Sequence, residues 1–349
     1  MKKTKEAPVI AVDPSTDAPR TVRFADFPKP PESVEPCRVP TSKGAAPSPN
    51  AFSRTPLFGA SEKTRTILRP DEELVVIDDP DGYQVILCGG TKSNVPGPFG
   101  KRGEHVSSRF DQTDYTVYLG LLRYVSGRLG VSVVFEPYAF VKSLGLADAR
   151  YNVRTVFECI ARMSRTEIAV RQPIAGSPGH FEYLVGRLVS SIGYSSKTGK
   201  YSIMLDQNMA GLFRPAHFSS LIWRHRLAIK SPLGKFLHAE LTSHESGRFR
   251  WVHQLQHAYG SSSDPSLFKN RLKKAAAEVS EITGWTIVFE KNASNTNEKL
   301  VCTKNDFVCD FDDFNPDAPT ANELEFDEHD SPGGRPRFSF PGPPPDKAH

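Results

Sequence analysis

The sequence predicts an α+β chain of two tandem domains between disordered ends, on three observations. First, of 29 prolines in 349 residues, eleven fall in residues 1–60 and eight in 305–349. That leaves a middle of roughly 240 residues, long enough to bury two ordinary cores. Second, helix start and stop signals alternate with β-rich runs along this middle. Third, the element order of its first half recurs in its second. The expected boundaries are 1–69 for a Pro-rich disordered segment, 70–195 and 196–304 for the domains, and 305–349 for an acidic, then Pro-rich, disordered tail.

In the first half, Asp79-Pro80-Asp81-Gly82 between Leu74–Ile77 and Tyr83–Leu87 signals a hairpin. Asp111 and Thr113 can cap a helix running to about Gly127, with Val117, Leu121, Leu122 and Val125 on one face. A strand follows at Val131–Phe135. A short helix from Pro137 stops at Gly145. The helix over Asp148–Arg165 buries Val153, Val156, Phe157 and Ile160, and its opposite face carries Tyr151, Thr155 and Arg162. The β-rich runs Thr166–Arg171 and Phe181–Ile192 close the unit. Helix, strand, helix, helix, hairpin is the order of a winged helix. In such a domain the last helix enters the DNA major groove and the hairpin lies on the backbone.

In the second half, Tyr201–Leu205 reads as a strand. Helices are expected at Gln207–Leu212, His217–Arg226 and Pro232–Ser243, then a strand at Phe249–Trp251 and a helix at Val252–Tyr259 closed by Gly260. Asp264 caps a long helix that begins with Pro265 and ends at Gly284. Trp285–Glu290 and Leu300–Thr303 form a last hairpin. No residue-level repeat relates the halves. The fold expected is therefore tandem winged-helix domains.

Charge points to a polyanionic partner. Residues 305–349 carry a net −8, so the rest of the chain carries +12 within a total of +4, and residues 207–304 alone carry +7. Arg224, His225, Arg226 and Lys230 form a second basic run, equally readable as a solvated helix end. Five cysteines at irregular spacing suit free thiols in a reducing cytoplasm. No stretch approaches 18 apolar residues, so no membrane partner is expected.

Catalytic chemistry finds no support. His253 and His257 are spaced for zinc on a helix, but Gln254 stands where the base of a zinc protease belongs. There is no phosphate loop ending in Gly-Lys-Ser/Thr, and no His-x-His pair of a nicking enzyme. No cofactor or metal is expected.

The helix after Asp264 is the candidate reader. Phe268, Leu272, Ala275, Ala276, Val279 and Ile282 share one stripe, while Ser266, Lys269, Asn270, Lys273, Lys274 and Ala277 spread over the other side. Lysines neutralise phosphates and Asn can pair bidentately with adenine. Ser261, Ser262 and Ser263 sit in the preceding turn, where hydroxyls and the helix start can hold a phosphate. These residues, with Tyr151, Thr155 and Arg162 of the first domain, are the expected DNA-binding set. A solvated amphipathic helix is the competing reading.

Leu221-Ile222-Trp223-Arg224, Ser231-Pro232-Leu233-Gly234-Lys235-Phe236 and Tyr259-Gly260-Ser261-Ser262 resemble the TrfA family of plasmid replication initiators. So does Phe268-Lys269-Asn270-Arg271-Leu272-Lys273-Lys274-Ala275, and so, in the first half, do Asp111 to Tyr124 and Tyr151 to Met163. The resemblance covers roughly residues 50–304. It implies tandem winged-helix domains on direct repeats (iterons) of double-stranded origin DNA. It further implies opening of adjacent AT-rich DNA and recruitment of the host's replicative helicase and sliding clamp. A winged-helix transcriptional repressor remains the alternative, and a self-dimer is left open.

Overall fold

The computed structural model describes residues 36–59 (43 aside), 73–76, 82–88, 110–291 (175 and 178 aside) and 298–305. The expected tail, and most of the segment 1–69, lie outside the described residues.

The chain opens with strand β1 (Cys37–Arg38), strand β2 (Ala45–Pro49), helix α1 (Asn50–Arg54) and a 3-10 turn at Pro56–Phe58. Over residues 36–59 this corrects the expectation of a disordered segment. Phe52, Leu57 and Phe58 are fully buried, and the Phe58 ring stacks on Tyr115 at 4.5 Å. Tyr115 Oη and Ser48 Oγ hydrogen-bond at 2.5 Å, and Gln112 Nε2 donates to Phe58 O at 2.6 Å. Proline is tolerated at Pro47 and Pro49 because β2 belongs to a two-stranded sheet and needs partners on one side only. Strand β3 (Glu73–Val76) pairs with β4 (Gln84–Cys88), as the hairpin signal predicts.

The first repeat is α2 (Gln112–Tyr124), β5 (Arg128–Leu129), β6 (Ser132–Phe135), α3 (Pro137–Ser143), α4 (Arg150–Arg165), β7 (Glu167–Pro173), β8 (Phe181–Gly186), β9 (Val189–Tyr194) and β10 (Tyr201–Leu205). Asp111 caps α2 through Thr113 N and Asp114 N, and Asp114 returns the bond to Asp111 N. The run Phe181–Ile192 is two strands rather than one. β7 and β8 extend the β3–β4 hairpin into a four-stranded sheet of order β3-β4-β7-β8, and β9 turns back to pair with β10. The closing hairpin of the first repeat is thus β9–β10. Tyr201–Leu205, expected to open the second domain, pairs with β6 in the register Tyr201 to Phe135. A boundary at 195/196 cuts this hairpin. Asp206 marks the true end of the unit, accepting from Arg187 N at 2.8 Å and Asn208 N at 2.9 Å.

A 3-10 stretch at Gln207–Phe213 follows, then β11 (Phe218–Ile222) and α5 (Trp223–Ala228). The helix expected over His217–Arg226 is therefore half strand. Ala216 at φ 71° breaks the chain before it, and β11 pairs with β2, so a distant partner decides the conformation. The second repeat is α6 (Pro232–Thr242), β12 (Phe249–Trp251), α7 (Val252–Ala258), α8 (Pro265–Thr283), β13 (Thr286–Lys291) and β14 (Glu298–Thr303).

The two repeats share more than order. The sheets run β6-β10-β9 and β12-β14-β13, so in each the first strand pairs with the third and the second lies outside. Each sheet backs onto its own core. Phe135, Phe140, Val156, Phe157, Ile160 and Ile203 belong to the first. Phe236, Leu255, Phe268, Leu272, Val279, Trp285 and Leu300 form the second.

Each first helix also carries a buried acid against an arginine. Asp114 faces Arg162 at 2.7 Å, and Glu240 faces Arg250 at 2.8 Å with His244 at 3.1 Å. Burial lifts Asp114 to about 6 despite Arg162. Burial also raises Glu240, but His244 and Arg250 outweigh it and hold that carboxyl below its ordinary range.

Arg226 ties the repeats together. It is fully buried, donating from Nη2 to Gln112 O at 2.9 Å, from Nη1 to Lys235 O at 2.9 Å and from Nε to Thr116 Oγ1 at 3.2 Å. Its guanidinium lies 5.1 Å from the Tyr115 ring centre. His225 is buried too, so the basic run 224–230 is not one solvated face. Arg54 of α1 donates to Ser243 Oγ at 3.0 Å beyond the end of α6, which makes the N-terminal segment a second brace. Cys37, Cys159 and Cys302 are unbridged. No described helix is long and apolar enough to cross a membrane.

Candidate nucleic-acid interface

The third helix of each repeat is where a readable surface could sit, and α8 is the better defined. Asp264 accepts from Ser266 N at 2.8 Å and Leu267 N at 3.4 Å, and Pro265 supplies a helical φ at the first position. Gly284 ends the helix at φ 73°, a conformation costly for a residue with Cβ. Gly260, at φ 68°, turns the chain from α7 towards α8. Phe268, Leu272, Ala275, Ala276 and Val279 are buried as expected, and Ile282 packs against them half-buried.

The outer side separates into two groups. Lys269 and Lys273 turn towards the β13–β14 hairpin. Lys269 Nζ lies 2.7 Å from Glu298 Oε2, Lys273 Nζ lies 3.6 Å from Glu298 Oε1, and Lys273 also stands 5.4 Å over the Phe289 ring. Burial raises the Glu298 carboxyl, but these lysines outweigh it and hold it low. Leu267, Asn270, Arg271 and Lys274 form an exposed stripe at i, i+3, i+4 and i+7. Sequence reasoning named Asn270 and Lys274 in this stripe and missed Leu267 and Arg271. The signal available was their helical spacing, away from Phe268 and Leu272.

The serine turn is tied down internally. Ser261 Oγ and Ser263 Oγ hydrogen-bond at 2.8 Å, Gln256 Nε2 donates to Ser263 O at 2.7 Å, and Ser266 Oγ donates to Asp264 Oδ1 at 2.5 Å. Ser262 is exposed.

On α4, Tyr151 is 76% exposed, Arg154 is exposed beside it, and Thr155 Oγ1 donates to Tyr151 O at 3.1 Å. Arg162 corrects the expectation. It is only 7% exposed, and its Nη2 and Nε reach Asp114 Oδ1 at 2.7 and 3.0 Å. It lies in the last turn of α4, where the helix closes on α2, so it is a structural residue and not part of an outward basic face.

No protein-family model and no curated protein match the chain. Among solved structures, the chain is similar to domains 2 and 3 of RctB, with TM-score 0.48 and 10% identity, covering 73% of this chain and 98% of that one. It is similar to the Pi initiator protein in complex with iteron DNA, with TM-score 0.39 and 12% identity over 56% of this chain and 96% of the other. A third is the WH1 domain of the replication protein MSBI1.176, isolated from a multiple sclerosis patient, with TM-score 0.22 and 10% identity over 29% and 78% of the two chains.

Proposed function

We propose that the two repeats are winged-helix domains that bind double-stranded DNA, and that the chain is a plasmid replication initiator acting on direct repeats at an origin. The observation that carries DNA binding is the shared strand order of the two three-stranded sheets. Each has a third helix that exposes a polar, basic stripe at its start. Two tandem readers in one chain suit direct repeats, because a single-domain repressor obtains its second half-site by dimerising. The initiator role, with origin opening and contact to the host helicase and sliding clamp, rests on the resemblance of residues 50–304 to the TrfA family. No catalytic role is assigned.

Footprinting on the DNA flanking the gene tests this reading. Protection of several direct repeats beside an AT-rich stretch supports it, and protection of one palindrome over a promoter favours the repressor. Binding should fall steeply with salt. With about eight phosphates neutralised, the log–log slope is about −7, and a slope shallower than about −3 would mean that the basic faces do not meet phosphate.

Side chains on α8 should differ in that assay. Lys274→Ala and Arg271→Ala are expected to weaken binding to all duplexes alike and to reduce the salt slope by about one unit each. Lys273→Ala should reduce it less, because Glu298 already offsets part of its charge. Asn270→Ala is expected to cost about 1–3 kcal/mol on the cognate repeat and to relax one base pair. Equal slopes for the Lys273 and Lys274 variants would show that Glu298 lets go on binding.

A further inference from the structure

Six large apolar side chains stand exposed among the described residues, and the two most exposed are Tyr151 at 76% and Leu267 at 59%. Single apolar residues scattered over a surface are ordinary. These two are not scattered. Tyr151 is in the first turn of α4 and Leu267 in the first turn of α8, the third helix of each repeat. The repeats share no recognisable residue pattern, yet each places its most exposed apolar side chain at the same point of the fold.

Their neighbours define the chemistry of what could cover them. Leu267 shares its stripe with Asn270, Arg271 and Lys274, and Tyr151 with Arg154 and Thr155. The surroundings are cationic and rich in hydrogen-bonding groups, so an apolar protein surface would leave those groups facing nothing polar. The matching occupant presents phosphates and base edges together with an apolar spot. In the duplex major groove that spot is the thymine C5-methyl. The first turn of the third helix is also the part that meets base edges in helix-turn-helix docking.

Resting on the DNA-binding reading above, we propose that Leu267 and Tyr151 are specificity-determining residues that read thymine methyl groups, one in the groove segment faced by each repeat. Asn270, one turn further along α8, then faces a neighbouring base. The DNA class selected carries a thymine at a fixed place in each of two groove segments.

The test separates this proposal from the reading beneath it. The full chain is first used to select duplexes from a random library. The best duplex is then remade with each thymine replaced singly by uracil, which removes only the methyl. At two positions, in separate groove segments, uracil is expected to weaken binding about fourfold, the effect of burying one methyl-sized group. Leu267→Ala should bind thymine and uracil duplexes equally at one of these positions while still discriminating at the other, and Tyr151→Ala should do the reverse. Both variants should keep the parent's melting temperature, since neither side chain fills a core. Failure to enrich any duplex overturns both readings. Enrichment without thymine–uracil discrimination, or discrimination that survives in both variants, overturns this one alone.

Discussion

Arg226→Ala is expected to cost about 3–5 kcal/mol of stability, the range for emptying a large, fully buried side-chain site. The side chain has no solvent exposure and spans from Gln112 and Thr116 on α2 to Lys235 on α6. Burial pulls its guanidinium down to about 10, so it stays charged at neutral pH, with carbonyls and the Tyr115 ring around it. Arg226→Met should recover much of the loss, because it refills the volume without a charge to desolvate. Urea unfolding of the parent and both variants measures this. A loss under about 1 kcal/mol for the alanine variant would show that the two repeats do not depend on Arg226 to hold together.

Arg162→Met is expected to cost a similar amount, about 3–5 kcal/mol at pH 8, through the carboxyl it leaves behind. Asp114 is 1% exposed and already raised to about 6 by burial, with Arg162 opposing that rise. For an acid whose folded pKa exceeds its unfolded value of about 3.9, the proton linkage favours folding at low pH. That contribution is lost as pH climbs through the folded value. Removing the cation pushes the folded value higher and widens the window. The variant should therefore be closest to the parent near pH 5 and furthest from it at pH 8. Asp114→Asn combined with Arg162→Met should lose this pH dependence, because the amide can still accept from Asp111 N and carries no charge. Thermal unfolding at the two pH values decides it, and a loss equal at both would rule out the stranded carboxylate.

What was legible in the sequence was what local chemistry dictates. Asp111, Asp264 and Gly284 mark helix ends because caps act on backbone groups within one turn; α4 and α8 fall within two residues of expectation, and α2 ends three residues before the expected Gly127. Distant partners were not legible. β11 is a strand because residues 45–49 pair with it, and those residues look disordered by proline content alone. Tyr201–Leu205 was legible as a strand, but which repeat it completes depends on β6, some 70 residues earlier. The interface shows the same division. A helical wheel places Lys269 and Lys273 on the outside of α8 but cannot show Glu298 reaching them from β14. It places Arg162 outside α4 but cannot show α2 closing over it. The exposed start of α8 needed only spacing, and Leu267 could have been found there.

The pairing of β2 with β11 has a consequence for how the chain is made. Ala46 lies opposite Leu221, 175 positions further on. At about 5–20 residues per second, roughly 9–35 s of synthesis separate the two strands. Until β11 leaves the ribosome, Phe52 and Phe58 lack the complete core they are buried in. The second repeat pairs and packs largely within Pro232–Thr303, so it can close almost as soon as it is translated. Slow translation between Ala45 and Phe218 would therefore prolong the interval in which β2 has no strand partner.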